Sequence, residues 1–356
     1  MFLLRETSQI NIYEISSWSR AILAPLAILG AMRASRPVPR GFGLEEIHAG
    51  AEPPKPNLLS WKSFFLWADR SLKLWEKLGM NGVRRKAVDA AAQWMIERLE
   101  NSDGLAAIFP AMMNSIMALT ELGYGLDHPL VQREIERFEG LIVEDGDTLR
   151  LQPCHSPVWD TAIGAFAIGR ANPSPSPKVR LAVERAGAWL LSKEVKRPGD
   201  WIVKNPGVEP GGWYFEFENE FYHDCDDTAK VLLALEEARP ADRARHAAAR
   251  ERALRWLVSM QCRDGGWAAF DRDNDAEILN HVPFADHNAM LDPACPDITG
   301  RALEALSGPG GERFADAVAR GVAYLRAAQE DDGSWYGRWG VNYLYGTCFA
   351  LRGLRA

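Results

Sequence analysis

The strongest constraint on the fold is self-similarity. The pattern Gly321-x-x-Tyr324-Leu325-x-x-x-Gln329-x-x-x-Gly333-x-Trp335 occurs earlier as Trp256-Leu257-x-x-x-Gln261-x-x-x-Gly265-x-Trp267, a period of about 68 residues. A weaker copy runs from Gly187 through Trp189-Leu190 and Glu194 to Gly199-Asp200-Trp201, and a more decayed one joins Gln93-Trp94-Met95 to Asp103-Gly104. One additional helix lies between successive copies, and these helices start alike, at Asp160-Thr161, Asp227-Thr228, Asp297-x-Thr299 and Gly346-Thr347. A two-helix unit cannot bury its own apolar face and must stack on its neighbours. The pattern predicts an all-α chain, an α/α toroid of helical hairpins with Gln-Trp motifs. Its inner helices would start at one rim, so that Thr161, Thr228, Thr299 and Thr347 share one end of the array. The Gln-Trp pairs read as staples, each amide satisfying orphan N–H groups at the next helix start while the indole covers it.

Breaks in the helical pattern fall at Pro37 to Pro56, which holds five prolines, and at Arg197 to Pro210; both read as surface loops. No stretch shows sustained two-residue alternation, so strands are not expected. With 356 residues, 47% of them apolar, the chain can bury a sizeable core and has room for two domains. A net charge of -7 and a pI near 5.6 argue against a nucleic-acid partner, which needs clustered Lys and Arg. Five cysteines, an odd number with no Cys-x-x-Cys pair, argue against a disulfide framework and against zinc. The first residues lack a signal-peptide pattern. The most apolar run, Ala21 to Met32, is roughly half the length of a bilayer-spanning helix and contains Pro25. The expectation is a cytoplasmic protein with no transmembrane helix.

The chemistry centres on Asp224-Cys225-Asp226-Asp227-Thr228, which opens an apolar helix directly after the aromatic run Trp213-Tyr214-Phe215-x-Phe217. N-capping and the helix dipole explain one or two acids there. Three adjacent carboxylates cannot all ionise cheaply, so one should keep its proton and be available as a general acid. Metal readings are weak. His223 beside the triplet matches no zinc spacing, and Asp271-x-Asp273-x-Asp275 has Ala276 and Val282 where a calcium loop needs Gly and Glu. No Asp-Asp-x-x-Asp run is present to hold a magnesium diphosphate. No metal and no cofactor are expected.

Together with Ser156-Pro157-Val158-Trp159-Asp160-Thr161 and the string from Gly337-Arg338-Trp339-Gly340 to Asn342-Tyr343-Leu344-Tyr345-Gly346-Thr347, these motifs resemble bacterial squalene-hopene cyclases over essentially the whole chain. Members of that family extend further at both ends, so the resemblance implies a fragment from the middle of such an enzyme. It implies two α/α barrels, both incomplete here. Residues 1–143 would be the remainder of the non-catalytic barrel, with a channel helix near Ser71 to Val88, and residues 144–356 the partial catalytic barrel. The activity implied is conversion of squalene to hopene or hopanol, begun by protonating a terminal alkene. An alkene is a very weak base, so the step needs a strong acid in a dry cavity and aromatic faces for the cation that follows.

By the same resemblance Asp226 is the proton donor and Asp224 and Asp227 tune it. Asp297 and Arg301 support the acid, and Trp18, Trp159, Phe215, Phe270, Trp339 and Tyr345 face the cation. Arg301 stands where some members have a His that holds the acid, and a guanidinium can act there only by pairing with anionic aspartates and lowering their pKa. Phe270 replaces a Tyr. The implied partners are squalene, a membrane surface, and a second copy or a complementing fragment; the implied location is peripheral, on the cytoplasmic side of the inner membrane. Class II diterpene cyclases share the acid motif, and an inactive truncated or split cyclase is the reading from another class.

Overall fold

The computed structural model describes the chain except residues 7, 9, 10, 44–56, 58, 78–80, 173, 284–288 and 341. Most of the Pro37 to Pro56 segment therefore lies outside the described residues; residues 37–43 form neither helix nor strand. The helices are α1 (Ser17–Met32), α2 (Trp61–Lys77), α3 (Asn81–Glu97), α4 (Phe109–Glu121), α5 (Pro129–Glu139), α6 (Pro157–Ala171), α7 (Pro177–Ser192), α8 (Cys225–Ala238), α9 (Arg243–Ser259), α10 (Pro296–Leu306), α11 (Ala315–Ala327) and α12 (Asn342–Arg355). Proline at the first turn starts α4, α5, α6, α7 and α10, where a missing N–H costs nothing. The expectation of no strands needs correction: Ile142–Asp145 (β1) and Thr148–Leu151 (β2) pair as an antiparallel hairpin, turned at Gly146 with φ +58°. Short half-exposed strands with charged residues carry too little alternation to register in a helix-dominated sequence.

From residue 157 onward the predicted array is present. Helices α6, α8, α10 and α12 form a continuous row, while α7, α9 and α11 pack behind them. The row is parallel. Gly169 meets Glu237 near the C-terminal ends of α6 and α8, Asp226 meets Arg301 near the starts of α8 and α10, and Glu304 meets Arg352 further along α10 and α12. The two central helices, α8 and α10, are buried nearly all round, as expected of helices flanked on both sides. Helices α10 and α12 approach so closely that a Cβ on Gly300 would run into the Phe349 carbonyl, and one on Gly353 into Gly300.

The repeats work as staples, by different bonds from those expected. The indole N–H of Trp267 donates to the Leu257 carbonyl (2.7 Å), and the Trp267 backbone N–H donates to the Thr299 hydroxyl (2.9 Å) at the start of α10. Trp335 repeats this with Leu325 (2.7 Å) and Thr347 (3.0 Å). The glutamine caps no helix N–H. Its amide donates to carbonyls, Gln261 to Gly265 (2.8 Å) and Ala317 (2.9 Å), and its oxygen accepts from Arg320. The motif glycines Gly265 and Gly333 take φ of +94° and +86°, which a side chain would resist.

The third copy is corrected by the same bonds. Trp213, not Trp201, donates its indole N–H to Leu190 (2.7 Å) and its backbone N–H to Thr228 (3.0 Å). Residues 196–210 are thus an insertion within the repeat, and they hold a 3-10 turn at Asp200–Val203 rather than only loop. Glu194 does stand in the glutamine position, paired with Arg252 (2.7 Å) as Gln261 is with Arg320. The three threonines bonded this way lie within the first two turns of adjacent parallel helices, and Thr161 holds the corresponding place in α6.

The insertion ties the two halves of the chain together. Arg20 of α1 is fully buried, bidentate to Asp271 (3.1 and 3.1 Å) with its Nε 3.3 Å from Asp200. Asp200 also takes Arg98, just after α3, at 2.5 and 3.0 Å, and that guanidinium lies 3.8 Å from the Trp94 ring. Asp271 therefore answers to an arginine. Removing one partner of a buried ion pair typically costs about 3 to 5 kcal/mol. Asp200→Asn, which strands two buried guanidinium groups, is expected to lose stability of about that size in urea unfolding, with a smaller loss for Arg98→Met.

Candidate functional site

The acid motif sits at the rim because the fold places every inner-helix start there. Asp224 is the N-cap of α8, its Oδ1 accepting from the backbone N–H of Asp226 and of Asp227, both at 2.8 Å. The capping reading of the triplet is thus correct for Asp224. That capping turn points the next two carboxyls apart. Asp227 turns inward, 3% exposed, toward Asp224 at 2%, while the Asp226 side chain keeps 14% exposure. Burial raises the Asp224 carboxyl to about 7, and burial and then Asp224 raise Asp227 well above the usual carboxylate range. A proton shared between these two satisfies both carboxyls.

Asp226 meets Arg301, 1% exposed, through two contacts: Nε to Oδ1 at 2.5 Å and Nη2 to Oδ2 at 2.8 Å. The same guanidinium donates to the Tyr345 hydroxyl (2.7 Å) and lies 5.4 Å from the Trp159 ring and 4.1 Å from that of Phe349. Burial pushes Asp226 up; Arg301 pulls it down, Asp297 pushes it up and Lys230 pulls it down, leaving it at about 6. The expected pairing of Arg301 is present and does lower the carboxyl, but burial outweighs it. Asp297 is fully buried in the first turn of α10, and its Oδ2 accepts the backbone N–H of Trp339 (3.0 Å).

The named aromatics fall into two groups around this acid. Trp18, Phe270 and Trp339 form an edge-to-face trio with centroids 5.1 to 6.3 Å apart, reached from the acid through the Trp339–Asp297 bond. Trp159 lies against Phe215 at 6.2 Å, and Tyr345 against Phe349 at 4.8 Å. None of the six expected residues is buried, whereas the stapling residues Trp213 and Trp267 are wholly so. Exposure separates scaffold tryptophans from those free to meet a ligand. A cavity of about 640 Å³ runs below the rim, lined by Trp159, Phe166, Lys230, Arg301, Tyr345 and Phe349 among others. Burial, then Arg352 and Arg301, lower Lys230 to about 8.

His223, considered beside the triplet, lies tilted against Trp256 (ring centroids 4.6 Å) and is buried, and that burial lowers it to about 4. It is a neutral core histidine. One residue went unread: Glu216, the unnamed position within the aromatic run, is buried, and its Oε2 accepts from Asn219 (3.0 Å). Burial raises it to about 8. A glutamate flanked by aromatics has no pattern that separates it from a solvent-facing one, so only its fold position reveals it. Because its folded value exceeds the unfolded 4.5, the folded chain binds more protons in between. The associated stabilisation is complete below about pH 4.5 and is lost as pH rises through about 8. The stability of the wild type minus that of Glu216→Gln should therefore fall by up to about 1.4 kcal/mol per pH unit across that window, measured by urea unfolding at stepped pH.

The comparisons with known proteins agree with this geometry. Residues 155–356 match the family model described as the squalene-hopene cyclase C-terminal domain, and residues 1–147 match the N-terminal one. The chain is 39% identical to a dammaradiene synthase of Dryopteris crassirhizoma, covering 96% of this chain and 51% of that protein. It is 39% identical to a probable squalene–hopene cyclase of Sinorhizobium fredii, covering 98% and 55%. With the squalene–hopene cyclase of Alicyclobacillus acidocaldarius the figures are 36%, 98% and 55%. The chain thus spans about half the length of the curated relatives it matches. With stapled helical repeats, an acid triplet at their rim and a C-terminal family model covering more than half of the chain, the chain belongs to the squalene-hopene cyclase family.

Proposed function

We propose that this chain carries the acid and part of the aromatic lining of a triterpene cyclase that converts squalene to hopene or hopanol. The observation that carries the reading is Asp226 itself, a partly accessible carboxyl, raised by burial to about 6, bound to Arg301 and bordered by half-exposed aromatics. Burial keeps a proton available near neutral pH, while Arg301 stabilises the conjugate base and so strengthens the acid. The O–H bond of Asp226 breaks as a C–H bond forms at the terminal alkene. The π pair of the alkene forms that C–H bond and leaves the adjacent carbon electron-deficient; the π pair of the next double bond then forms a C–C bond to this cation, and successive ring closures follow. Trp159, Phe215, Trp18, Phe270, Trp339 and Tyr345 offer π faces that attract the moving cation without capturing it. Loss of a proton ends the cascade as hopene; addition of water ends it as hopanol.

The match to a dammaradiene synthase supports a second ending on the same opening step, because cyclases that begin alike diverge in where the cation is quenched. The division into a non-catalytic part, 1–143, and a catalytic part, 144–356, belongs to the same proposal, as does a second copy or complementing fragment. Peripheral membrane contact is assigned to α2; the channel helix expected near Ser71 to Val88 falls across the end of α2 and the start of α3, with residues 78–80 outside the described residues. Along α2, Trp61, Phe64, Leu66, Trp67, Leu72 and Leu74 are exposed. No helix among the described residues is long and apolar enough to cross a membrane.

Incubation with squalene and analysis by gas chromatography and mass spectrometry should give a pentacyclic product, and Asp226→Asn should give none. The rate should rise as pH falls toward about 6 and level off below it, since the acid must be protonated. A product of dammarane skeleton would favour the second ending. Replacing Phe64 and Trp67 by Glu should lower co-sedimentation with phospholipid vesicles by about tenfold while leaving circular dichroism unchanged.

A further inference from the structure

The cavity below the rim carries more positive charge than a hydrocarbon needs. It is lined by Arg170 of α6, Lys230 of α8, Arg301 of α10 and Arg352 of α12. These cations gather on two rings. Lys230 lies 4.3 Å, Arg352 5.2 Å and Arg170 5.9 Å from the Phe166 ring, while Arg301 (4.1 Å) and Arg352 (5.6 Å) share that of Phe349. Both π faces already carry protein cations, so like charges crowd around one opening.

The three arginines have carboxylate partners: Arg170 pairs with Glu237 (2.9 Å), Arg301 with Asp226 (2.5 Å) and Arg352 with Glu304 (2.6 Å). Lys230 has none. It is 5% exposed, and among the described residues its ammonium makes no hydrogen bond or ion pair, only the contact with Phe166. The carboxylates that bear on it, Glu304 and Asp226, are engaged by Arg352 and Arg301, and those two guanidinium groups repel it. Buried charges are ordinarily paired, because an unpaired ammonium gives up its hydration for nothing. A hydrocarbon offers Lys230 no partner; an anion would.

We propose that this cavity binds an anionic amphiphile, a carboxylate or phosphate monoester on an apolar stem: the anion seats on Lys230 between Arg352 and Arg301, and the stem lies along Trp159, Ile163 and Phe166. At about 640 Å³ the space is of the size that small-molecule sites occupy. The guanidinium groups present forks that match planar and tetrahedral oxyanions, and the lysine adds a point charge. Lys230 lies one helical turn after Asp226 on α8. Recognition of the anion needs only the charge and shape of the cavity, whether or not Asp226 protonates an alkene.

Isothermal titration calorimetry on the full chain with octyl phosphate, octanoate, octanol and inorganic phosphate tests the site. Octyl phosphate and octanoate should bind one to one and about tenfold or more tighter than octanol or inorganic phosphate, each of which offers only one half of the ligand. Lys230→Met removes an unpaired buried charge, so it should be at least as stable as the wild type in urea unfolding; it should abolish the margin over octanol while octanol itself binds as before. In the wild type with its lysines methylated with carbon-13, the Lys230 resonance should titrate at a higher pH once octyl phosphate is bound, because a bound anion favours the ammonium. Octyl phosphate binding no tighter than octanol, a margin that survives in Lys230→Met, or a Lys230 titration unmoved by saturating octyl phosphate would each overturn the site. Inorganic phosphate binding as tightly as octyl phosphate would overturn the amphiphile.

Discussion

Each repeat is closed by one tryptophan that makes two bonds at once, and the rest of the molecule follows from that double bond. The indole N–H holds the carbonyl at the end of the preceding outer helix, and the backbone N–H holds a threonine hydroxyl within the first two turns of the next inner helix. A buried indole N–H without a partner would carry a desolvation cost, so the ring fixes both ends of the connection. Repeated three times, the bond forces the inner helices to start at one level. The positive ends of their dipoles and their first-turn side chains then converge on a single rim.

That convergence is what makes a buried acid possible. Asp226, Asp297, Arg301, Trp159 and Tyr345 come from four different helices and meet because each lies within two turns of a start. Burial raises the carboxyls while Arg301 restrains Asp226, so the motif holds protons near neutral pH yet keeps one carboxyl anion stabilised by two contacts.

Much of this was legible in the chain because it depends on spacing. The Leu-to-Trp interval in the last two repeats, the threonine after each helix start and the acid triplet are local patterns. The third repeat misled for the same reason: residues 196–210 interrupt the interval, and Trp201 falls one residue beyond the expected distance while Trp213 makes the bonds. The role of glutamine was also misassigned, since an amide both donates and accepts, and only the positions of Gly265, Ala317 and Arg320 decide which it does. Glu216 had no local signature at all.

By itself, then, the sequence determined the helical repeat, the family and the position of the acid triplet, because these follow from periodicity and from residue types at short range. The tertiary structure alone decided which tryptophans are scaffold and which are exposed at the rim, that burial outweighs Arg301 at Asp226, and that Asp200 and Asp271 lock Arg20 and Arg98 between the two halves. Those outcomes depend on desolvation and on contacts between residues far apart in the chain, and neither is encoded in any single stretch of it.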